Sequence, residues 1–113
     1  MHEWSLAEQV RSIVLEEARA NALFCVRRVT LEVGALSCVE PGVLQFAIEK
    51  NLEDSIAAEA DVIVRTRKGR LKCYHCGKVF EAEDMYQACV HCNQYGFTII
   101  DGKDMLVTGI EGA

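Results

Sequence analysis

Four cysteines form the pattern in this chain with the clearest chemistry. The spacing Cys-x2-Cys-x12-Cys-x2-Cys is made by Cys73, Cys76, Cys89 and Cys92. Each Cys-x-x-Cys pair is expected to form a tight turn that directs two thiolates at one ion. Two such turns close a tetrahedron of sulfur, which suits zinc. Gly77, directly after the first pair, fits a backbone position that needs a positive φ. A redox dithiol and an iron–sulfur centre remain open as alternatives.

The amino terminus offers a second and different metal site. His2 directly follows Met1. A histidine in this position can chelate through a free terminal amine, its own backbone amide and its imidazole. That nitrogen-rich set favours a planar metal such as Ni(II) or Cu(II) over a structural zinc. Two unlike metal sites in one small protein indicate a function in handling metals.

Two further histidines and a basic segment accompany the cysteines. His75 and His91 lie inside the two Cys-x-x-Cys pairs. We interpret them as exposed spacers, with exchange against a cysteine as zinc ligand the alternative. Residues 65–72 hold five basic groups and no acid, which can offset the negative charge of a zinc tetrathiolate. Nucleic-acid binding is the competing interpretation. The remaining chain opposes it with 7 basic against 17 acidic residues and no series of aromatic residues for base stacking.

The composition of the 113-residue chain predicts one small domain, or a domain with an appendage. Half of the residues are hydrophobic and one is proline, which argues against disorder. The sequence has no apolar run long enough to span a membrane, and its first residues lack the pattern of a signal peptide. We therefore expect a cytoplasmic protein whose paired cysteines bind metal and do not form disulfides.

An amphipathic helix is predicted over residues 5–22. Ser5 and Glu8 fit a capping box at its start, which would leave Met1, His2 and Glu3 just outside the helix. Its apolar face is predicted to consist of Leu6, Val10, Ile13, Val14 and Ala18.

Alternating apolar and polar residues, together with proline and glycine at segment ends, predict the other elements. Pro41 is well placed as the first residue of a second helix. Strands are predicted over 26–34, 61–66, 97–100 and 105–110, with Asp101 and Gly102 as a turn. The expected fold is α+β, with two helices packed on a small, about three-stranded sheet and an inserted zinc-ribbon module. We assign residues 1–66 plus 101–113 to an α+β nickel-binding domain and residues 67–100 to the inserted zinc-binding domain.

Three segments, in order, resemble the HypA/HybF family, the nickel-insertion accessory proteins of [NiFe]-hydrogenase maturation. Residues 1–7, Met-His-Glu-Trp-Ser-Leu-Ala, are similar to the family's amino-terminal motif. Residues 32–41, Glu-Val-Gly-Ala-Leu-Ser-Cys-Val-Glu-Pro, are similar to its central segment. Residues 73–92 match its paired Cys-x-x-Cys module. Only the last is specific alone, but the order and spacing extend the resemblance along nearly the whole chain.

The resemblance implies a nickel metallochaperone without catalytic activity. Ni(II) would be bound transiently by the Met1 amine, the His2 amide and imidazole, and the Glu3 backbone amide. The four-cysteine zinc would be structural. The implied partners are the companion maturation GTPase and the hydrogenase large-subunit precursor, and some relatives also serve urease. We expect no nucleic-acid or membrane partner, and the strand edges permit a homodimer without requiring one.

Some residues depart from the family pattern or have two interpretations. Trp4 replaces a usual aliphatic residue, and Cys38 replaces a frequent glycine. We interpret Cys25 and Cys38 as small buried hydrophobic residues, with a thiolate near nickel the alternative for Cys38. Glu40 either orients the His2 imidazole or is a carboxylate favoured at a helix start. The competing functions are a zinc-ribbon module of transcription or translation and a thiol oxidoreductase.

Overall fold

The computed structural model describes residues 2–113, so Met1 lies outside the described residues. In chain order the elements are α1 (Glu3–Ala20), β1 (Val26–Gly34), a 3₁₀ turn (Ala35–Ser37), α2 (Pro41–Leu52), β2 (Asp61–Arg67), β3 (Gly69–Cys73), β4 (Val79–Ala82), β5 (Phe97–Asp101) and β6 (Met105–Gly112). The strands form one sheet of order β2-β1-β6 and another of order β4-β3-β5. Two helices with small sheets and a four-cysteine cluster confirm the predicted α+β class with a zinc-ribbon module.

The chain divides into two compact units, each discontinuous in sequence. The helical unit comprises the residues up to Glu32 together with Val39–Arg65 and Leu106–Ala113. The cysteine unit comprises Val33–Cys38 and Thr66–Met105. The functional division into a nickel-binding domain of 1–66 plus 101–113 and a zinc-binding domain of 67–100 stays a prediction.

The helical unit buries one face of each helix. The buried face of α1 consists of Glu3, Ala7, Val10, Val14 and Ala18, and that of α2 of Leu44, Ala47, Ile48 and Leu52. The two helices pack against each other. The predicted face of α1 was right at Val10, Val14 and Ala18. Leu6 is only half-buried and Ile13 is 39% exposed, because the buried residues follow the steps of three and four that begin at Glu3.

The helix α1 begins two residues earlier than predicted. It starts at Glu3, with His2 as the N-cap residue and no side-chain cap. Ser5 therefore lies within the first turn, and the predicted Ser5–Glu8 capping box is wrong. The Glu3 side chain is only 4% exposed, and its carboxylate accepts the backbone N–H of Glu40 at 3.1 Å. This contact between elements, which no local pattern reveals, fixes the start of α1.

The start of α2 agrees with the prediction. Pro41 occupies the first turn, where its missing N–H costs no intrahelical bond. The Glu40 side chain caps the helix by accepting the backbone N–H of Val43 at 2.7 Å. Glu40 is thus a helix-start carboxylate, the second of the two predicted roles. Its backbone N–H bonds Glu3 while its side chain caps α2, so one residue links the starts of both helices.

The sheet of the cysteine unit contains a strand that the sequence prediction missed. The central strand β3 pairs antiparallel with β4 and with β5. Leu71 and Cys73 on β3 are buried, whereas Arg70 and Lys72 are exposed. This alternation is a strand signal, but it overlaps the basic segment that we interpreted by charge alone. Leu71 lies opposite Phe80 in β4 and Ile99 in β5, which places the core of this unit beneath the cysteine turns.

The buried Glu3 carboxylate predicts an acid-sensitive contribution to stability. The Glu40 N–H, followed by the Glu3 backbone, lowers the pKa of Glu3 below its ordinary value of 4.5. Because the folded pKa is the lower one, the contribution is complete above about pH 4.5 and is lost as the pH falls through the folded pKa. We expect Glu3→Gln to lower the urea midpoint near pH 7, with the difference from wild type narrowing towards pH 3.

Trp4 fluorescence in metal-free protein is the suitable readout, since Trp4 reports on α1. The matched control is Glu8→Gln, an exposed carboxylate of the same helix, which should leave the midpoint unchanged. Equal midpoints for Glu3→Gln and wild type near pH 7 would contradict the assignment.

Candidate metal centre

The four predicted cysteines come together in the cysteine unit. Their sulfur atoms all lie within 4.8 Å of one another. Sγ of Cys73 is 3.5 Å from that of Cys92, and Sγ of Cys76 is 3.7 Å from that of Cys89. Four thiolates at about 2.3 Å from one zinc ion would be about 3.8 Å apart in a regular tetrahedron. The residues present therefore fit a tetrahedral thiolate site.

The two Cys-x-x-Cys turns have the same hydrogen-bond pattern. Cys73 Sγ accepts the backbone N–H of His75 at 3.3 Å, and Cys89 Sγ accepts that of His91, also at 3.3 Å. Each turn closes with a bond four residues on, from Gly77 to the Cys73 carbonyl at 3.1 Å and from Asn93 to the Cys89 carbonyl at 2.8 Å. The N–H groups of His75 and His91 point at sulfur, which stabilises the thiolate form that binds metal.

Both turns end on a residue with positive φ. Gly77 has φ 73°, as predicted, and Asn93 has φ 63°. Asparagine tolerates the left-handed region better than most residues. The role of Asn93 was not predicted, although Asn93 follows Cys89 by the same number of residues as Gly77 follows Cys73.

The thiols differ strongly in acidity. The backbone N–H of Cys76, despite burial and with help from that of His75, lowers the pKa of Cys73 to about 6. The N–H of Gln94 lowers the pKa of Cys92, but burial and the neighbouring sulfurs outweigh it and raise that pKa to about 12. Four thiolates this close repel one another unless a cation lies among them. A metal ion would therefore displace protons from the cluster when it binds.

The two histidines inside the cysteine turns bridge between the turns. Nε2 of His75 donates at 3.0 Å to the carbonyl of Tyr95, a residue that follows the second turn. Nε2 of His91 donates at 3.2 Å to the carbonyl of Val79, a residue that follows the first turn. A carbonyl only accepts, so each Nε2 carries the proton. We call these two contacts the histidine bridges. The histidines are exposed, as predicted, yet they connect the turns and are not simple spacers.

The histidine bridges predict a kinetic effect on metal release. Loss of one neutral hydrogen bond costs about 1 kcal/mol, or about five-fold in an equilibrium. His75→Ala and His91→Ala should each accelerate zinc transfer to a chelator about five-fold, because each frees one turn from the other. The rate is measured with a chromogenic chelator. Val90→Ala, at an exposed residue of the second turn, is the control. Unchanged rates in both histidine variants would show that the bridges do not retain metal.

The predicted nickel ligands lie at the start of α1. His2 is exposed and is the N-cap residue, whereas Met1 lies outside the described residues. Glu3 is the first helical residue, and its side chain is held by Glu40. First-turn backbone N–H groups have no intrahelical acceptor, so the Glu3 amide is not needed for the helix. Both described residues of the predicted set therefore lie at the helix start, where His2 is exposed and Glu3 is buried.

The two remaining cysteines differ from each other. Cys38 is exposed, so its interpretation as a buried hydrophobic residue is wrong. Its backbone lies in the left-handed region, with φ 61°. Its conformation accounts for the glycine that the family pattern favours there. Cys25 is half-buried, and its backbone exchanges hydrogen bonds with Ala113 at 3.1 and 3.0 Å. These bonds engage the backbone of Cys25 and not its thiol.

Neither helix of residues 2–113 has the length and the apolar character needed to span a membrane.

Four cysteine sulfurs on two turns come together beside a small antiparallel sheet, and the chain also carries a two-helix α+β unit. This combination defines a zinc-ribbon type of metal-binding protein.

Comparison with known proteins identifies the family. A family model described as "Hydrogenase/urease nickel incorporation, metallochaperone, hypA" matches residues 1–112. Hydrogenase maturation factor HypA of Aquifex aeolicus is 33% identical over 111 residues, which cover 98% of this chain and 96% of that protein. HypA of Azoarcus sp. is 39% identical over 107 residues, covering 95% and 94%. The solution structure of the Ni metallochaperone HypA from Helicobacter pylori aligns with a TM-score of 0.70 at 25% identity, covering 99% of this chain and 97% of that one. The chain belongs to the HypA family of nickel metallochaperones for hydrogenase maturation.

Proposed function

We propose that this protein binds Ni(II) at its amino terminus and delivers it to the large-subunit precursor of a [NiFe]-hydrogenase. The observation that carries the proposal is the start of α1. An exposed His2 is followed there by a Glu3 whose buried side chain is hydrogen-bonded to Glu40. This arrangement fixes the helix start and leaves His2 accessible to a metal acceptor. A match of the family model from residue 1 adds support.

The proposed nickel ligands are the Met1 amine, the His2 amide and imidazole, and the Glu3 backbone amide. Nitrogen ligands of this kind suit a square-planar Ni(II) ion. The Glu3 side chain does not belong to the proposed set, because its carboxylate already accepts the Glu40 N–H. Its function is to hold the start of the helix so that the amide and imidazole nitrogens converge.

The four cysteines Cys73, Cys76, Cys89 and Cys92 are proposed to hold a structural Zn(II). All four coordination positions are filled by protein sulfur, which leaves none open for substrate, as in other structural zinc sites. Iron would accept the same sulfur ligands, so metal analysis of the purified protein distinguishes the two. Four sulfur ligands would leave no open coordination position at the proposed zinc site, and we propose no enzymatic activity.

The proposed partners are the companion maturation GTPase and the hydrogenase precursor, in the cytoplasm, with urease as a second nickel acceptor that the family description names. Homodimer formation also stays a proposal. Nickel transfer requires that the acceptor displace the ligands one by one. The His2 imidazole is exposed and therefore accessible to such an acceptor.

A zinc-ribbon module that binds nucleic acid is the second candidate function. Its support is the basic segment 65–72, but acidic neighbours oppose it. Arg70 lies between Glu81 and Asp101 in the register of the sheet, and Arg67 pairs with Asp101 at 3.2 Å. Cross-strand pairs of opposite charge reduce the positive potential that phosphate binding needs. The charges therefore favour the metallochaperone.

A titration with Ni(II) as a function of pH tests the proposed function. Amine, imidazole and amide nitrogens must all lose or lack protons to bind metal, so protons compete with nickel. Nickel affinity should fall by about 10⁴-fold or more between pH 8 and pH 6, because the two proposed amide ligands each release a proton and each proton contributes about tenfold per pH unit. Calorimetry on untagged, zinc-loaded protein gives the affinity, with the proton release measured in two buffers. An affinity that is constant over this range would place nickel elsewhere.

A further inference from the structure

A groove in the helical unit runs along the open edge of β6. It has a volume of about 670 Å³, and six consecutive residues of the strand line it, from Val107 to Gly112. Consecutive residues of a strand face opposite sides of a sheet. A groove lined by all of them therefore follows the strand's backbone edge and not one face. The opposite wall is provided by α1 and the residues after it, with Ile13, Glu17, Asn21 and Leu23.

The two edges of this sheet differ in their protection. In the described sheet β2 and β6 are the edge strands, and β1 lies between them. The β2 edge carries Asp61, Arg65 and Arg67, the kind of charges by which natural edge strands discourage pairing. The eight-residue β6 carries Glu111 as its single charge and contains no proline or lysine. Glu111 is itself paired with Arg28 at 3.2 Å. The β6 edge is thus open to another strand.

The charge of the groove indicates what kind of strand would fit. None of the ten described residues that line it is basic. Glu17 is exposed and has no ion-pair partner among residues 2–113, while Ile13 and Leu23 provide an apolar wall beside it. A second copy of β6 would bring another acidic wall to this edge, so like charges disfavour self-pairing. An extended segment with alternating apolar and basic residues complements both features.

We propose that the β6 edge is a docking site for an extended, basic and apolar segment of a partner protein, which adds to the sheet as a fourth strand beside α1. Backbone hydrogen bonds to β6 supply affinity, and Ile13 and Glu17 select apolar and basic side chains. The proposal goes beyond nickel binding, and it does not depend on which metal the amino terminus carries.

The test uses synthetic peptide probes and the zinc-loaded full-length protein. The first probe is an acetylated and amidated hexapeptide of alternating valine and lysine. The second replaces lysine by glutamate, and the third methylates alternate backbone nitrogens of the first, which removes strand donors on one edge. Amide hydrogen exchange is followed at residues 106–111 and at the opposite edge, residues 61–67. The first probe should slow exchange at 106–111 and leave 61–67 unchanged, and the other two should have little effect.

A charge reversal in the groove separates specific docking from general attraction. Glu17→Lys should weaken binding of the basic probe about five-fold, the range of an exposed charge pair. Glu16→Lys changes the net charge equally at a neighbouring exposed position outside the lining, and it should change binding less than two-fold. Three results would overturn the proposal: equal binding of the acidic probe, equal protection of both edges, or protection of 106–111 that rises with protein concentration without a probe.

Discussion

Replacement of Cys73 by serine should release the proposed structural zinc and unfold the cysteine unit, while α1 and α2 stay folded. Metal binding by structural zinc sites is worth about 10–16 kcal/mol in small peptides, which exceeds the stability of most small domains. The Cys73→Ser chain retains only three of the four thiols, too few to close the tetrahedral site. Loss of one ligand therefore affects the whole unit.

The cores of the two units explain why the effect should be local. The buried cluster of the cysteine unit consists of Leu36, Leu71, Cys73, Phe80, Ala82 and Cys89. Two of these six residues are proposed metal ligands, so the metal and the core are one structure. The helical unit buries Val10, Val14, Val29, Leu31, Leu44, Ile48 and Leu52, which provide a core without any proposed ligand. Each unit should accordingly respond separately to metal loss.

The experiment combines zinc analysis with amide hydrogen exchange measured residue by residue. Cys73→Ser should lose its zinc, and exchange should become fast throughout Thr66–Met105 and remain slow in the helices. Cys38→Ser is the matched control, because Cys38 is an exposed cysteine of the same unit and should leave metal content and exchange unchanged. A Cys73→Ser protein that retains one zinc per chain with native protection would contradict the four-thiolate assignment.

Local patterns predicted most elements of the fold. The alternation of Val29, Leu31 and Val33 gave β1 its observed bounds, and Pro41 gave the start of α2. Both signals depend on residues within the element itself. The start of α1 was missed because it depends on a hydrogen bond between Glu3 and Glu40, 37 residues apart. A capping pattern such as Ser5–Glu8 indicates a helix start only where no stronger tertiary contact overrides it.

The metal cluster could be predicted from the sequence, whereas the contacts around it could not. The spacing of the four cysteines carries the geometry of the turns, so their convergence follows from sequence. The histidine bridges do not follow from it, because the acceptors are backbone carbonyls of Tyr95 and Val79, which any residue would provide. The strand β3 had a readable alternation at Leu71 and Cys73, but the charges of its exposed residues obscured it. A sequence thus shows which side chains can bind a metal, but it does not show which backbone groups will contact them.

Acetylation of the Met1 amine should abolish tight nickel binding and leave the fold unchanged. The acetyl group converts the terminal amine into an amide and so removes it as a metal ligand. His2→Ala should have the same effect, because it removes the imidazole. Each change removes a metal ligand and not merely a supporting group, so the loss should exceed about 100-fold. Neither change touches the buried face of α1 or the four cysteines, so zinc content and helix stability should remain those of the native protein.

Calorimetric titration with nickel of the native, acetylated and His2→Ala proteins decides the question, with zinc analysis of each sample. His91→Ala is the matched histidine control, since it removes an imidazole near the cysteine cluster and leaves the amino terminus intact. It should bind nickel like the native protein. If the acetylated protein instead binds nickel as tightly as the native one, the amine is not a ligand. The candidates would then be His75, His91 and Cys38, whose side chains are all exposed and carry nitrogen or sulfur that nickel accepts.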